Sequence, residues 1–446
     1  MKKLSPYSSM RRLTDAIEYL VDPRVGVLSK VTEWAREPGA PDFYHYYAEA
    51  CDTRAFSMVE NFKDSGGASS NRERAAAKAV GEAVERYCAA IFNVEELPFT
   101  TYEKASFPCI HPGKFALFSA EQFAGLSFPW TPFSEDTLVR WYPMCNLLTG
   151  RDVHVPAAMV FVPYRYFAET GESPITQPIS TGLACHCSFE EAVIGGACEA
   201  IERDAFTITW QAMLNHPQIR VETLSDANFD LVQRFKRAGG KVTLFYAPMD
   251  HGIATILSVQ VHPSPIAPAL VFAAAASLDP EDAVRKSLEE LELTRSYCQI
   301  IKRSQPPVMS RPPYHLNIVD QATHIAYWCR HEVLPEADFL FTSKERVSFR
   351  DIENLATGDH KRDLRTLCSR IEGVGHSVLA CDLTTRDIRE LGMCVARVVI
   401  PGFNPLYMGY NIRARGGKRL KDVPQKLGYV SPGPDGKDNP SPHPFP

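Results

Sequence analysis

A mixed α/β fold, β-sheets flanked by helices, is what this 446-residue sequence predicts, and three observations predict it. Long helical stretches open on capping residues, β-rich runs lie between them, and the composition (45% hydrophobic, 23% charged) suits a chain with a large buried core.

The first strong helix is "NRERAAAKAVGEAVERYCAA" from Asn71: Ala, Glu and Arg favour helix, and Asn71 can cap the first turn after the turn-like "KDSGGASS". The second, "SFEEAVIGGACEAIERDAFTITW", begins with Ser188 and Glu191 at capping-box spacing. The third, "DPEDAVRKSLEELELTRSYC", has Asp279 as cap and Pro280 at the first helical position. Val284, Leu288 and Leu291 follow its apolar spacing, leaving Arg285, Glu289 and Glu292 on other faces. Strands are expected in "VTLFYAPM", "TILSVQV", "ALVFAAAA" and "MCVARVVIPG". From Val423 the chain is too rich in Pro and Gly for a packed element and ends in alternating prolines, which stiffen an extended conformation. Residues 1–422 are therefore expected to form one body, its first ~50 residues integral to it, and 423–446 a tail.

A net charge of −5 offers no basic face for nucleic acid. The N-terminus lacks the apolar stretch of a signal peptide, and no window approaches the roughly 18 apolar residues of a membrane span, so a cytoplasmic protein without membrane contact is expected. Twelve scattered cysteines without any Cys-x-x-Cys pair read as reduced thiols.

The chemistry lies in a repeated Glu-x-x-Glu-Arg, in "GEAVERY" and again in "CEAIERD". Taken singly, each is an ordinary solvated helical face. On a helix, however, Glu82 shares a face with Glu85, and Glu199 with Glu202, each pair among small residues that permit close approach. Were the helices to face one another, four carboxylates would meet, and such a cluster stays ionised only with cations. Mg²⁺ fits, keeping open positions for phosphate oxygens, and Arg86 and Arg203 could add charge-assisted bonds to phosphate. The G-x-x-x-x-G-K-[ST] loop is missing, so any ATP site is built otherwise. A di-metal bundle centre lacks its Glu-x-x-His element.

At these residues the sequence resembles the YcaO family, ATP-dependent enzymes that modify peptide backbone amides. The resemblance rests on "SGGASSNRERAAAKAVGEAVERY", "STGLACHCSFEEAVIGGACEAIERDAFTITW", "DAVRKSLEELELTR" and "ARVVIPGFNP", in that order. It implies the YcaO-type fold with ATP between the motif helices, and Mg²⁺ held by Glu82, Glu85, Glu199 and Glu202. It also implies nucleotide contacts from Gly67 and Ser69 of the glycine turn and from Arg86, Glu191, Arg203 and Arg285. The ending "PHPFP" is similar to that of the azoline-forming branch, the D protein of a cyclodehydratase, whose tail enters the active site; the terminal carboxylate, here on Pro446, would assist catalysis. Many relatives have Gly-Lys-Gly where this chain has Gly67-Ala68-Ser69, and Thr181, Ala184 and Cys187 also depart from the family pattern.

The resemblance implies that a Cys, Ser or Thr of a ribosomal precursor peptide closes onto the preceding amide, whose oxygen is phosphorylated, leaving a thiazoline or oxazoline. Two alternatives stay open: thioamide or amidine formation in a peptide backbone, and a nucleotide-binding scaffold without turnover. The implied partners are the precursor peptide, an E1-like or other leader-binding protein, and an FMN-dependent dehydrogenase, with a homodimer also compatible. Deleting the last five residues is expected to stop ring formation and leave the fold intact.

Overall fold

The computed structural model describes residues 6–125, 128–310, 315–429 and 438–445. Three sheets carry the body. The first is antiparallel: β1 (Leu28–Trp34), β2 (Tyr44–Ala50) and β3 (Asp64–Ser69), in that order. β4 (Phe99–Thr100), β5 (Val139–Asn146), β6 (Arg151–Pro156) and β7 (Leu183–His186) belong to a second sheet, ordered β4-β5-β13-β14-β7 with β6 paired to β5. The third runs β11-β10-β9-β8-β12 through β8 (Gln218–Arg220), β9 (Lys241–Tyr246), β10 (Thr255–Val261), β11 (Leu270–Ala276) and β12 (Arg346–Ser348). β13 (Leu379–Asp382) and β14 (Cys394–Val399) complete the second sheet. The four expected β-rich runs supply β9, β10, β11 and β14.

Among the helices that cover the sheets, those used below are α1 (Arg72–Ala89), α2 (Phe189–Gln211), α3 (Pro280–Ser304), α4 (Gln321–Trp328), α5 (His360–Gly373) and α6 (Arg419–Lys426). The expected caps hold the first three: Asn71 accepts from the Arg74 amide at 2.9 Å, Ser188 from Glu191 at 3.3 Å and Asp279 from Glu281 at 3.0 Å. α1 buries Ala79, Val80, Ala83 and Val84 between the first two sheets, against residues such as Leu28 and Leu183. α2 packs Val193, Ala197 and Ile201 on Val398 and Ile400, and α3 packs Val284, Leu288 and Leu291 on Ile256 and Val271 of the third sheet.

Two expectations need correction. Glu289 and Glu292 of α3, read as lying away from the apolar stripe, are fully buried. Each is paired: Glu289 with Lys78 at 2.9 Å and Arg285 at 2.8 Å, Glu292 with Arg295 at 2.7 Å. Burial works against the Glu289 carboxylate, but Lys78 and Arg285 overcome it and hold its pKa down to about 2. The boundary at Val423 also fails, because α6 runs through it to Lys426. Val423 is fully buried beside Phe445 and Tyr410, and that anchoring offsets the cost of Pro424 within the helix.

The chain then returns as an extended strap, residues 438–445, whose side chains are mostly buried. Proline brings no N–H, so what a buried strap of alternating prolines chiefly needs is donors for its carbonyls. Trp210 Nε1 donates to Ser441 O at 3.1 Å, Trp328 Nε1 to Pro442 O at 2.8 Å, and His324 Nδ1 bonds His443 O at 3.0 Å.

Candidate active site

α1 and α2 lie on either side of β7, and each sends a carboxylate back to the backbone around it. The Cys185 amide donates to Glu85 Oε1 at 2.8 Å and the Gly182 amide to Glu199 Oε2 at 3.1 Å. Glu82 Oε2 accepts from the Gly66 amide of β3 at 2.9 Å. Two glycines make these approaches: a Cβ on Gly196 would lie 2.5 Å from Gly182 O, and one on Gly67 2.2 Å from Ala75 O. Three of the four glutamates also meet arginines: Glu82 pairs with Arg86 at 2.6 Å, while Arg203 reaches Glu199 at 3.3 Å and Glu202 at 3.2 Å.

Three of the four glutamates are shifted by this arrangement. Burial raises Glu85 well above the carboxylate range, and the charges of Glu199 and Glu82 raise it further. Burial also raises Glu199, against the pull of Arg203, and pushes Glu202 up to about 8. A fifth carboxylate joins them from α3: Glu290, raised by burial, feels Glu82 and acts in turn on Glu199 and Glu202. Its neighbour Lys286 acts on Glu202 and on His186. Neither Glu290 nor Lys286 was singled out from the sequence, because one helix's spacing does not separate them from solvated charges.

Three of the residues expected to contact nucleotide are engaged within the protein. Gly67 is buried and gives its free face to α1. Ser69 has no exposed surface and donates its hydroxyl to Glu289 at 2.6 Å. Arg285 is committed to Asp282 and Glu289, both at 2.8 Å. Glu191 accepts from Ser188 Oγ at 2.8 Å and lies 3.9 Å from His186 and 3.7 Å from His360. Pro446 lies outside the described residues, but Phe445 before it sits under the Arg203 guanidinium, 4.4 Å from ring centre to carbon. Arg203 thus touches both the carboxylate cluster and the strap.

Carboxylates raised in this way make the protein less stable as pH rises. For Glu202 the folded pKa of about 8 exceeds the ordinary value of 4.5, so between these the unfolded chain releases a proton that the folded one keeps. Stability is full below pH 4.5 and falls toward pH 8, by on the order of 4 kcal/mol for this group. Urea unfolding without nucleotide should show that decline, and Glu202→Gln should flatten it. An unchanged slope in the variant would remove Glu202 as its source.

Comparison with known proteins agrees with this geometry. Residues 66–404 match the profile of the family described as YcaO cyclodehydratase, ATP- and Mg²⁺-binding. An uncharacterized protein of Methanothermobacter thermautotrophicus is 28% identical over 286 residues, covering 62% of this chain and 70% of that protein. A solved heterocyclase in complex with substrate and cofactor superposes with a TM-score of 0.80 at 23% identity, over 98% of this chain and 57% of its own. The YcaO protein of Methanopyrus kandleri bound with AMPPCP and Mg²⁺ gives 0.63 at 21% identity, over 88% and 90%. These structural likenesses establish the fold, and this chain spans little more than half the length of the heterocyclase chain.

The donor set fits Mg-ATP. Half-buried carboxylates held in mutual repulsion call for hard cations. Among the described residues no three acidic, imidazole or thiol groups close into a cage around one ion. Glu82, Glu85, Glu199, Glu202 and Glu290 are the residues that could hold such cations, phosphate oxygens completing the coordination.

Proposed function

The chain belongs to the YcaO family, and from that premise we propose that it is the ATP-dependent cyclodehydratase subunit that converts Cys, Ser or Thr of a ribosomal precursor peptide to thiazoline or oxazoline. The observation that carries the azoline reading is the buried proline strap ending on Arg203, the same side chain that pairs with Glu199 and Glu202. Phe445, the last described residue of the strap, thereby lies beside the proposed phosphate site.

Bound Mg-ATP supplies the phosphoryl group that lets the amide oxygen leave as phosphate. The chain's own residues do the rest. The glutamates hold the cations, and Arg203 holds the carboxylates in register by its two contacts. The substrate thiol or hydroxyl adds to the preceding carbonyl carbon, and its proton passes to a base, for which the Pro446 carboxylate is our candidate. Loss of the second proton from nitrogen closes the C=N bond, so the peptide loses one water in all.

We further propose that a leader-binding partner, E1-like or related, presents the peptide, and that an FMN-dependent dehydrogenase oxidises azolines to azoles. The test is mass spectrometry of a candidate precursor incubated with this protein, its partner and Mg-ATP. Loss of water at Cys, Ser or Thr is the expected result. Exchange of oxygen for sulfur would move the protein to the thioamide reading, and an unchanged peptide without phosphate release would leave a scaffold.

A further inference from the structure

The C-terminal half of α3, beyond Glu290, takes no part in the chemistry above, yet it forms one wall of a cavity of about 230 Å³. The other walls are two loops, residues 37–41 between β1 and β2 and residues 262–268 between β10 and β11. Arg295, 9% exposed, turns Nε and Nη2 to Glu292, both at 2.7 Å, and His45 completes that carboxylate at 3.3 Å. Its Nη1 has no partner among the described residues and is not sealed from water, so it is the nitrogen that the cavity reaches. One turn on, Gln299, 6% exposed, gives Nε2 to Ile266 O at 3.1 Å and leaves Oε1 in the same condition. Glu37 of the first loop accepts from Arg303 on Oε1 at 2.6 Å and has no partner on Oε2 among the described residues. Pro38 and Pro41 stiffen that loop, so the wall stands before any ligand arrives.

We propose that this cavity binds a free α-amino acid, its carboxylate on Arg295 Nη1 and its ammonium between Gln299 Oε1 and Glu37. The site stands apart from the peptide-modifying reading, since none of the five cleft glutamates lines it. Charge selects the ligand. Glu292 already offsets Arg295, and Glu37 is near enough to act on it, so a simple anion gains little from the arginine and is repelled by Glu37. A simple cation meets the reverse. A zwitterion faces each group with the opposite sign, and it brings the acceptor that Nη1 lacks and the donors that Gln299 Oε1 lacks. Size and lining select its side chain. A cavity of roughly 150 Å³ admits benzene, so one of this volume holds an amino acid of about leucine's size. Pro38, Pro41, Ala238, Ile266 and Pro268 give that side chain apolar walls.

The test is equilibrium dialysis of the full chain against radiolabelled L-leucine, with N-acetyl-L-leucine and L-leucinamide as competitors. L-Leucine should bind saturably, one per chain. Each blocked form lacks one charged contact and should compete at least about tenfold more weakly than unlabelled L-leucine. Glu37→Gln keeps an oxygen for Arg303 at the solvent edge; it should weaken L-leucine about tenfold and leave the unfolding midpoint in place. Gln299→Leu, alike in volume, should weaken it similarly, and should that variant not fold, Glu37→Gln decides alone. N-Acetyl-L-leucine competing as well as L-leucine would make this an anion site, and L-leucinamide doing so a cation site; either result overturns the proposal. So would no saturable binding of L-leucine, or binding that Glu37→Gln leaves unchanged. No turnover is needed, so the outcome is the same whether or not the chain closes azoline rings.

Discussion

Glu199→Ala is expected to lower peptide-dependent ATP hydrolysis by about 10²–10³-fold while leaving the unfolding free energy unchanged or higher. The two effects have one cause. Glu199 is held by the Gly182 amide and Arg203 within reach of the charges of Glu85, Glu202 and Glu290, and its own carboxyl is raised by burial. Removing it relieves repulsion in the nucleotide-free protein, and Arg203 keeps Glu202 as its partner. With nucleotide, the same removal takes away an oxygen donor whose charge only a cation could balance. Phosphate release and urea unfolding on one preparation check both halves. A normal rate in Glu199→Ala would return Glu-x-x-Glu-Arg to the ordinary surface helix, and a large loss of stability would make Glu199 a structural residue.

What could be read from the sequence, and what could not, follows from the range of each interaction. Caps act within three residues, so Asn71, Ser188 and Asp279 were legible as helix starts. That α1 and α2 both send carboxylates toward β7 was legible only as a repeated motif, since spacing within one helix says nothing of what lies about a hundred residues away. Glu290 leaves no such trace; its place is set by how α3 rolls on the third sheet, and that depends on Ile256 and Val271 far away in sequence. For Gly67 the resemblance implies a nucleotide contact, and nothing local in the sequence shows that its free face is taken by α1. The Cβ that α1 excludes there is a packing fact. Glu289 was misread for the same reason, its three cationic neighbours coming from Lys78, Arg74 and Arg285 on two helices. The prolines of the tail announced a stiff segment, but not that its carbonyls would find Trp210 and Trp328.

Phe445→Ala should cost about 3–5 kcal/mol of stability, the range for emptying a buried phenylalanine site. The ring is fully buried, 4.5 Å from Phe206 and 6.0 Å from Phe272 between centroids, with Arg203 over its face. This overturns the expectation that removing the last five residues leaves the fold intact, because the cut would take His443 and Phe445 from the core and strip the Trp328 indole of its acceptor. Lost ring formation after such a cut would say nothing about a terminal base. Removing Pro446 alone separates the two roles: Phe445 and its contacts stay, the unfolding midpoint should hold, and the carboxylate withdraws by one residue. Ring formation should then fall with stability intact, whereas Phe445→Ala lowers both. Undiminished product from the protein lacking only Pro446 would remove the terminal carboxylate from the chemistry and leave the strap a structural device that steadies Arg203.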